Sequence, residues 1–297
     1  MPYPNIRTIG CDPEFQVRSV LGFTAKDAGR FISGTTIGTD CGNGELRPRH
    51  ATTWQGLFIN LKNLIHELPE RVDPTKFGLQ SGNGRNVPLG GHIHFGGNIR
   101  EIADGSLSER RFNGVEDGST RHRFVASFLH NLDTFVLDPL LAVSNPKRVS
   151  MRQNSGYGGR SLWAYKSHGS GMTFEYRSPP SFLCHPVICA GMLCVARVVA
   201  RNTTRRLEDW DDVLSLATNA DRQMIERYQA FLAEMTTKEF TLEDFEMYDA
   251  WGIRPILPAR FEYMKVRTKV LEGITFNPNE ISIPASEPEP QTATVES

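Results

Sequence analysis

Four pairs of reactive side chains recur along the chain at a spacing of two, each within a short run typical of a β-strand. The pairs are Asp12 and Glu14, Glu45 and Arg47, His92 and His94, and Glu175 and Arg177. Residues two apart in a strand point to the same face of the sheet. Three of the residues between them are apolar or aromatic: Leu46, Ile93 and Tyr176. The spacing therefore predicts four strands, each with one reactive face and one face turned into a core.

The residues around the pairs add local detail. Pro13 lies inside the first pair and cannot donate a ladder hydrogen bond, which predicts a sheet edge or an irregular strand there. Pro48 follows Arg47, which indicates that the second strand is ending at that point. His92 and His94 are flanked by glycines, a pattern typical of close approach by backbone or ligand.

One shared surface for the four pairs would bring several carboxylates together. These are Asp12, Glu14, Glu45 and Glu175. Converging carboxylates stay ionised together only beside cations, and oxygen ligands favour magnesium or manganese, of which manganese better tolerates a histidine. Neighbouring arginines suit a polyphosphate whose oxygens are shared between metal and guanidinium groups. Each short pattern alone is more typical of a solvated strand face, apart from the two histidines, so the hypothesis depends on all four occurring together.

Helices are predicted between the strands. They run from Thr52 or Thr53 to Leu68, and over 121–143, 181–204 and 211–234. Residues 150–172 are rich in glycine and serine and predict a mobile loop. Residues 100–118 predict a surface insertion, and residues 286–297 a disordered tail. Short, two-faced strands interleaved with helices favour an α+β fold with an antiparallel sheet over a doubly wound parallel sheet.

Composition restricts the class of protein. The formal net charge of −1 gives no overall field that would attract nucleic acid or an anionic membrane. None of the five cysteines forms a Cys-x-x-Cys pair, which argues against a thiolate zinc site. Their odd number, together with the lack of a secretion signal, argues for a reducing compartment. The amino-terminal residues do not read as a signal peptide, and the most apolar run, 182–200, is too polar for a membrane span. We therefore expect a cytoplasmic protein, in the host cytoplasm if the protein is viral.

Taken in order, the motifs resemble those of carboxylate–amine ligases of the glutamine synthetase fold, and most closely the phage-type amidoligase family related to glutamate–cysteine ligases. The resemblance covers roughly residues 6–180 and lies in the stretches 10–15, 40–48, 91–96 and 175–177. It implies a curved, mainly antiparallel sheet with helices packed on its convex face, as in a glutamine synthetase catalytic domain. It also implies a single catalytic domain over residues 1–285.

The resemblance implies an ATP-dependent ligase that forms a peptide-like amide bond through an acyl phosphate, with Mg²⁺ or Mn²⁺ as cofactor. The implied metal ligands are Asp12, Glu14, Glu45, His92, His94 and Glu175. The implied catalytic residues are Glu14, Glu45, Glu175 and Arg177. The implied nucleotide contacts are Arg177, Arg160, Lys166, Arg47 and His94. Thr173 departs from the family pattern, because glutamine synthetases carry an arginine there; Arg160 or Lys166 is expected to supply that charge.

Substrates are expected to be a small-molecule or peptide carboxylate and an amine, with no membrane partner. Nucleic acid is not indicated as a partner, although a modified base or a protein remains open as the target. The sequence also leaves the oligomeric state open. Three alternatives share the motifs: an ATP-dependent phosphotransferase of the same fold, a metal-dependent hydrolase or oxygenase built on His92 and His94, and a binding protein that retains the fold.

Overall fold

The computed structural model describes residues 6–19, 25–82, 89–97, 127–144, 163–168 and 171–253, with only the backbone described for 163–168, 171 and 172. Several predictions fall outside these ranges: the insertion at 100–118, the tail at 286–297 and the position of Arg160. The extent of the predicted domain, 1–285, stays a prediction. No helix in the described ranges is long and apolar enough to cross a membrane.

Eight strands form one sheet in the described part of the chain, and every recorded strand pairing is antiparallel. They are β1 (Ile6–Ser19), β2 (Ala25–Lys26), β3 (Ile37–Asp40), β4 (Asn43–Leu46), β5 (Phe77–Gln80), β6 (Gly91–Gly97), β7 (Trp163–His168) and β8 (Gly171–Tyr176). The main order across the sheet is β3-β4-β1-β6-β8-β7, and β2 and β5 pair with the second half of β1. The antiparallel α+β prediction is confirmed, whereas the curvature of the sheet stays a prediction.

Strand β1 lies inside the sheet, but at Pro13 only its β6 side has a recorded strand pairing, so the edge-like position predicted there is found on one side alone. Pro13 pairs with Gly91 of β6, and pairing with β4 begins one residue later, at Glu14. The backbone N–H of Glu14 donates to Gly90 O, 2.9 Å away, on the β6 side. Alternation along a strand turns the Pro13 nitrogen to the other side, where the β4 pairing has not yet begun, so the missing donor interrupts no recorded ladder bond.

The helices are α1 (Trp54–Glu67), α2 (127–142, with a π-helical turn at Asp133–Leu137), α3 (Pro186–Val199), α4 (Trp210–Ser215), α5 (Asn219–Thr237) and α6 (Met247–Ala250). Short 3₁₀ turns occupy Ala28–Arg30, Leu68–Glu70 and Leu242–Asp244. Helix α1 begins as predicted, since the side chain of Thr53 accepts a hydrogen bond from the N–H of Gly56.

Three sequence predictions needed correction. Helix α3 begins after His185 rather than at residue 181, because the His185 ring accepts the N–H of Val187 and caps the helix. The helix predicted over 211–234 is two helices, since Thr218 and Asp221 form a capping box that starts α5. Part of the predicted loop at 150–172 is strand β7, which pairs with β8 along its whole length.

The helices pack on the face opposite the reactive pairs. Leu46, Ile93 and Tyr176, the residues between the paired side chains, are completely buried, as predicted. The hydroxyl of Tyr176 donates to Asp133 at the start of the π-helical turn of α2. Cys11 is also buried on this side of β1, close enough to Cys189 of α3 for the two thiols to influence each other electrostatically. The sheet therefore separates an apolar, helix-covered face from a polar face.

A buried carboxylate joins three of the helices. Asp221 of α5 accepts the indole N–H of Trp54 at 2.7 Å and the guanidinium N–H of Arg201, just beyond α3, at 2.6 Å. It also accepts the backbone N–H and hydroxyl of Thr218, at 2.9 and 2.8 Å. Burial alone would raise the pKa of Asp221, but these hydrogen bonds lower it instead. Asp221 is therefore ionised and fully bonded at neutral pH.

Stability is expected to fall in mild acid because of His185. Its ring stacks on Phe231, with ring centres 4.4 Å apart, and its Nδ1 accepts the Val187 N–H. Burial, with Arg227 nearby, lowers the pKa of His185 to about 3. The unfolded chain binds this proton below about pH 6.5 while the folded chain does not, so the stability that His185 contributes decreases as pH falls, by about 1 kcal/mol per pH unit.

Urea unfolding of the native protein and of His185→Asn between pH 7.5 and 5 checks this, since asparagine keeps the helix cap without titrating. We expect a shallower pH dependence in the variant. Equal slopes for the two proteins would contradict the assignment.

Candidate active site

The strand register brings all four reactive pairs onto neighbouring strands, in the order β4, β1, β6 and β8. Across these strands Glu45 pairs with Glu14, Asp12 pairs with His92, and His94 pairs with Glu175. Residues paired across antiparallel strands project from the same face. The predicted reactive face thus forms from residues as distant in sequence as Asp12 and Arg177.

Two imidazoles lie between two carboxylates at the centre of this face. His92 Nδ1 is 3.3 Å from Asp12 Oδ1 and 3.4 Å from Glu175 Oε1. His94 Nε2 is 3.0 Å from Asp12 Oδ2, and its Nδ1 is 3.4 Å from the Thr173 hydroxyl. The Glu175 side chain is buried, with 1% of its surface exposed, while both imidazoles have a small exposed fraction. The cluster is therefore open to small ions from one side.

This donor set fits a divalent cation. Asp12, His94 and Glu175 each offer a ligand atom, and the three atoms lie within 4.8 Å of one another. Two carboxylates and an imidazole suit magnesium less well than manganese, and both accept such ligands. His92 lies at similar distances from the same carboxylates, so either imidazole is placed to serve as a ligand.

A second group of acids lies beside the first. Glu14 and Glu45 are buried to 7% and 6% exposure, and Glu14 Oε2 accepts the Gly90 N–H at 2.7 Å. Burial raises the pKa of Glu45 to about 7, with Asp12 and Glu14 adding to the effect and Arg47 opposing it. Burial likewise raises the pKa of Glu14. Without a cation these carboxylates repel one another, which makes them natural oxygen ligands for a second ion.

The pKa of the central carboxylate, Asp12, is shifted in the opposite direction, downward. Burial would raise the pKa of Asp12, but hydrogen bonds and charge attraction from His92 and His94 hold it well below its ordinary value. Burial would lower the pKa of His92, yet Asp12 raises it, with further attraction from Glu175 and Glu14. Protons and metal ions therefore compete for the same site, since a histidine must be neutral to ligate.

The two arginines of the motifs differ in position. Arg177 Nε lies 3.4 Å from Glu175 Oε2, and its side chain is 20% exposed. Arg47 pairs with Glu45 and also donates to Thr39 O, with 40% of its side chain exposed. Strand β4 ends at Leu46, as Pro48 indicated. Arg177 is thus the guanidinium nearer the central cluster, while Arg47 lies over the β3–β4 hairpin.

The remaining predicted nucleotide contacts are only partly placed. Arg160 lies outside the described residues, and only the backbone of Lys166 is described. That backbone pairs with Thr173, the position where glutamine synthetases are expected to carry an arginine. Lys166 is therefore paired with Thr173, where the arginine of glutamine synthetases is absent. The role of Lys166 stays a prediction.

Three contributors to the site were missed from the sequence. Asp40 is close enough to raise the pKa of both Glu14 and Glu45. It lies on the β3–β4 hairpin, which turns at Cys41 and Gly42, both with positive φ. Recognising that hairpin would have placed Asp40 on the reactive face. The Gly90 N–H and the Thr173 hydroxyl carry no pattern that single-sequence reasoning detects.

One flanking glycine is explained by backbone rather than ligand. A side chain on Gly91 would overlap Pro180 O and lie 2.7 Å from the ring of Phe182. Gly90 and Pro180 form an isolated β-bridge. The segment after β8 therefore packs directly against the start of the His92 strand, which requires glycine there.

Comparison with known families agrees with the motifs. Residues 120–251 match the family model described as phage phiEco32-like COOH.NH2 ligase-type 2. The resemblance to phage-type carboxylate–amine ligases is thereby confirmed. The match contains Glu175 and Arg177 but begins after the first three motifs, and it extends through the helices α3 to α6, where the motifs gave no resemblance. No curated protein matches the chain in sequence.

Three solved structures are similar over most of the chain. A bifunctional glutathione synthetase from Pasteurella multocida is 14% identical with a TM-score of 0.42, over 89% of this chain and 47% of that one. The complex of the prokaryotic ubiquitin-like protein Pup with its ligase PafA is 9% identical with a TM-score of 0.46, over 91% and 64%. A glutamine synthase homolog is 13% identical with a TM-score of 0.39, over 89% and 70%. The chain thus spans about half the length of the glutathione synthetase.

Proposed function

We propose that this protein is an ATP-dependent ligase that joins a carboxylate to an amine through an acyl phosphate. The observation that carries the proposal is the convergence of Asp12, His94 and Glu175 from three strands onto one polar face. Glu175 also lies inside the segment that matches the ligase family. The site thus supports divalent-cation chemistry, and the family match supports a ligase.

Magnesium or manganese would be held by Asp12, Glu175 and an imidazole, with Glu14 and Glu45 offering oxygens to a second ion. A metal bound there would supply neutralisation of phosphate charge during transfer. Arg177, which lies beside Glu175, is proposed to bind a phosphate oxygen. Such a site works mainly by positioning and charge neutralisation.

The proposed reaction has two steps. A substrate carboxylate oxygen attacks the γ-phosphorus of ATP, the bond to the bridging oxygen breaks, and ADP leaves. An amine nitrogen then attacks the acyl carbon, the carbon–oxygen bond to phosphate breaks, and the amine gives up a proton to solvent or a nearby base. The products are an amide, ADP and phosphate. The carboxylate and amine are proposed to be small molecules or peptides, with a protein acceptor also compatible with an open polar face.

Hydroxylamine tests the proposal without knowledge of the amine. The protein is incubated with ATP, Mg²⁺ or Mn²⁺, hydroxylamine and each member of a panel of amino acids and short peptides. We expect at least one carboxylate to give a hydroxamate together with equimolar ADP and phosphate. A phosphorylated product without phosphate release would instead identify a phosphotransferase. No ATP turnover with any acid, together with bound zinc or iron, would favour the hydrolase or oxygenase alternative.

A further inference from the structure

Two buried serines hold the backbone at Glu14. The hydroxyl of Ser181 donates to the backbone carbonyl of Glu14 at 2.5 Å, and the hydroxyl of Ser81 donates to Ser181 Oγ at 2.8 Å. Both serines have 0% exposure. We call these two successive hydrogen bonds the serine relay. Ser81 directly follows β5 and Ser181 lies five residues beyond β8, so the serine relay joins three separate parts of the chain.

The hydrogen bond from Ser181 to Glu14 O takes the place of a backbone hydrogen bond between β1 and the residue before β6. The β1–β6 register pairs Pro13 with Gly91, so its continuation pairs Glu14 with Gly90. The N–H of Glu14 donates to Gly90 O, as an antiparallel ladder requires. The reciprocal donor, the Gly90 N–H, turns instead to the carboxylate of Glu14 at 2.7 Å. Ser181 therefore satisfies the carbonyl that the Gly90 N–H has left.

The segment that carries Ser181 is itself fixed to the start of β6. The N–H of Ser181 donates to Leu89 O at 2.9 Å, and the N–H of Gly91 donates to Pro179 O at 3.0 Å. Because Gly91 has no side chain, Pro180 can approach closely. The Ser181 hydroxyl is thus held in place by backbone bonds as well as by Ser81.

We propose that Ser181, supported by Ser81, is a positioning residue that frees the Gly90 N–H to orient the Glu14 carboxylate toward a divalent cation. This inference rests on the proposed function, and within it assigns a role to residues outside the four motifs. Without the Ser181 hydroxyl, the buried carbonyl of Glu14 needs another donor. The Gly90 N–H is the partner that a regular antiparallel ladder gives this carbonyl, and its return there would leave the carboxylate without its fixed orientation.

Binding of Mn²⁺ alone, measured by electron paramagnetic resonance without ATP, tests this role. We expect Ser181→Ala to weaken Mn²⁺ binding about 10- to 100-fold, the usual cost of removing a residue that orients a metal ligand. Ser81→Ala should give a smaller loss. The double variant should be no weaker than Ser181→Ala, since both hydroxyls act through one bond.

Ser144→Ala is the matched control. Its buried hydroxyl also donates to a backbone carbonyl, Leu140 O at 2.7 Å, but at the end of helix α2. We expect a similar loss of thermal stability with unchanged Mn²⁺ affinity. Equal Mn²⁺ affinity in Ser181→Ala and Ser144→Ala would overturn the positioning role while leaving the ligase proposal intact. No Mn²⁺ binding by the native protein would overturn the metal site itself. If Ser181→Ala fails to fold, the comparison of Ser81→Ala with Ser144→Ala decides.

Discussion

Replacing Glu14 by glutamine is expected to lower ATP-dependent hydroxamate formation about 100-fold or more. The glutamine carbonyl can still accept the Gly90 N–H, so the shape of the site is kept. The negative charge is lost, and with it an oxygen ligand on a face where Glu45 and Asp12 lie close by. Turnover and Mn²⁺ binding are the measurements, and both should fall while thermal stability is maintained.

Glu208→Gln gives the matched control for this substitution. The Glu208 side chain is 73% exposed, and the contact recorded for it is a long ion pair, of 3.9 Å, with Arg206. We expect turnover by Glu208→Gln to equal that of the native protein. Turnover by Glu14→Gln within a few-fold of that control would remove Glu14 from the metal site.

The largest loss of stability is expected from Asp221→Asn, at about 3 kcal/mol. Asparagine replaces one carboxylate oxygen, an acceptor, by an NH2 group, which is a donor and faces the donor groups of Trp54 or Thr218. Arg201 also loses its buried counter-charge. Since Asp221 links α5 to α1 and to the end of α3, the packing of all three helices weakens together.

The free energy of unfolding, from urea titration at pH 7, measures this effect. Asp211→Asn serves as control, because Asp211 is exposed in the first turn of α4. Its substitution should change the unfolding free energy by about 0.5 kcal/mol or less. A loss of similar size in both variants would show that Asp221 does not hold the helices together.

Much of the reactive face was predictable because a strand has a fixed period of two. Glu14, Glu45 and Glu175 could be assigned to a common face once each was placed in a strand, and the burial of Leu46, Ile93 and Tyr176 followed from the same rule. Spacing alone does not show that the four strands lie side by side. That part of the prediction came from the family resemblance. Whether each residue ligates metal stays a prediction.

The remaining features depend on pairings between distant segments. The partners of β1 change along its length, and no local pattern at Pro13 shows which strands will flank it. The division between α4 and α5 was missed because apolar periodicity continues across it, although Thr218 and Asp221 carry a capping-box signal. Ser81 and Ser181 are ordinary loop serines until the fold brings them within 2.8 Å of each other.

The central position of β1 has a consequence for how the chain reaches its native state. Strand β1 carries Asp12 and Glu14 and precedes its partners in the chain: β2 follows at once, and β4, β5 and β6 follow over about the next 80 residues. Strand β8, which pairs with β6, comes later still. Until they arrive, the nascent strand exposes unpaired backbone on both edges, a template for pairing with other chains. Like charges at Asp12 and Glu14 disfavour the pairing of two such strands, so the acidic side chains of the polar face also act against self-association of β1.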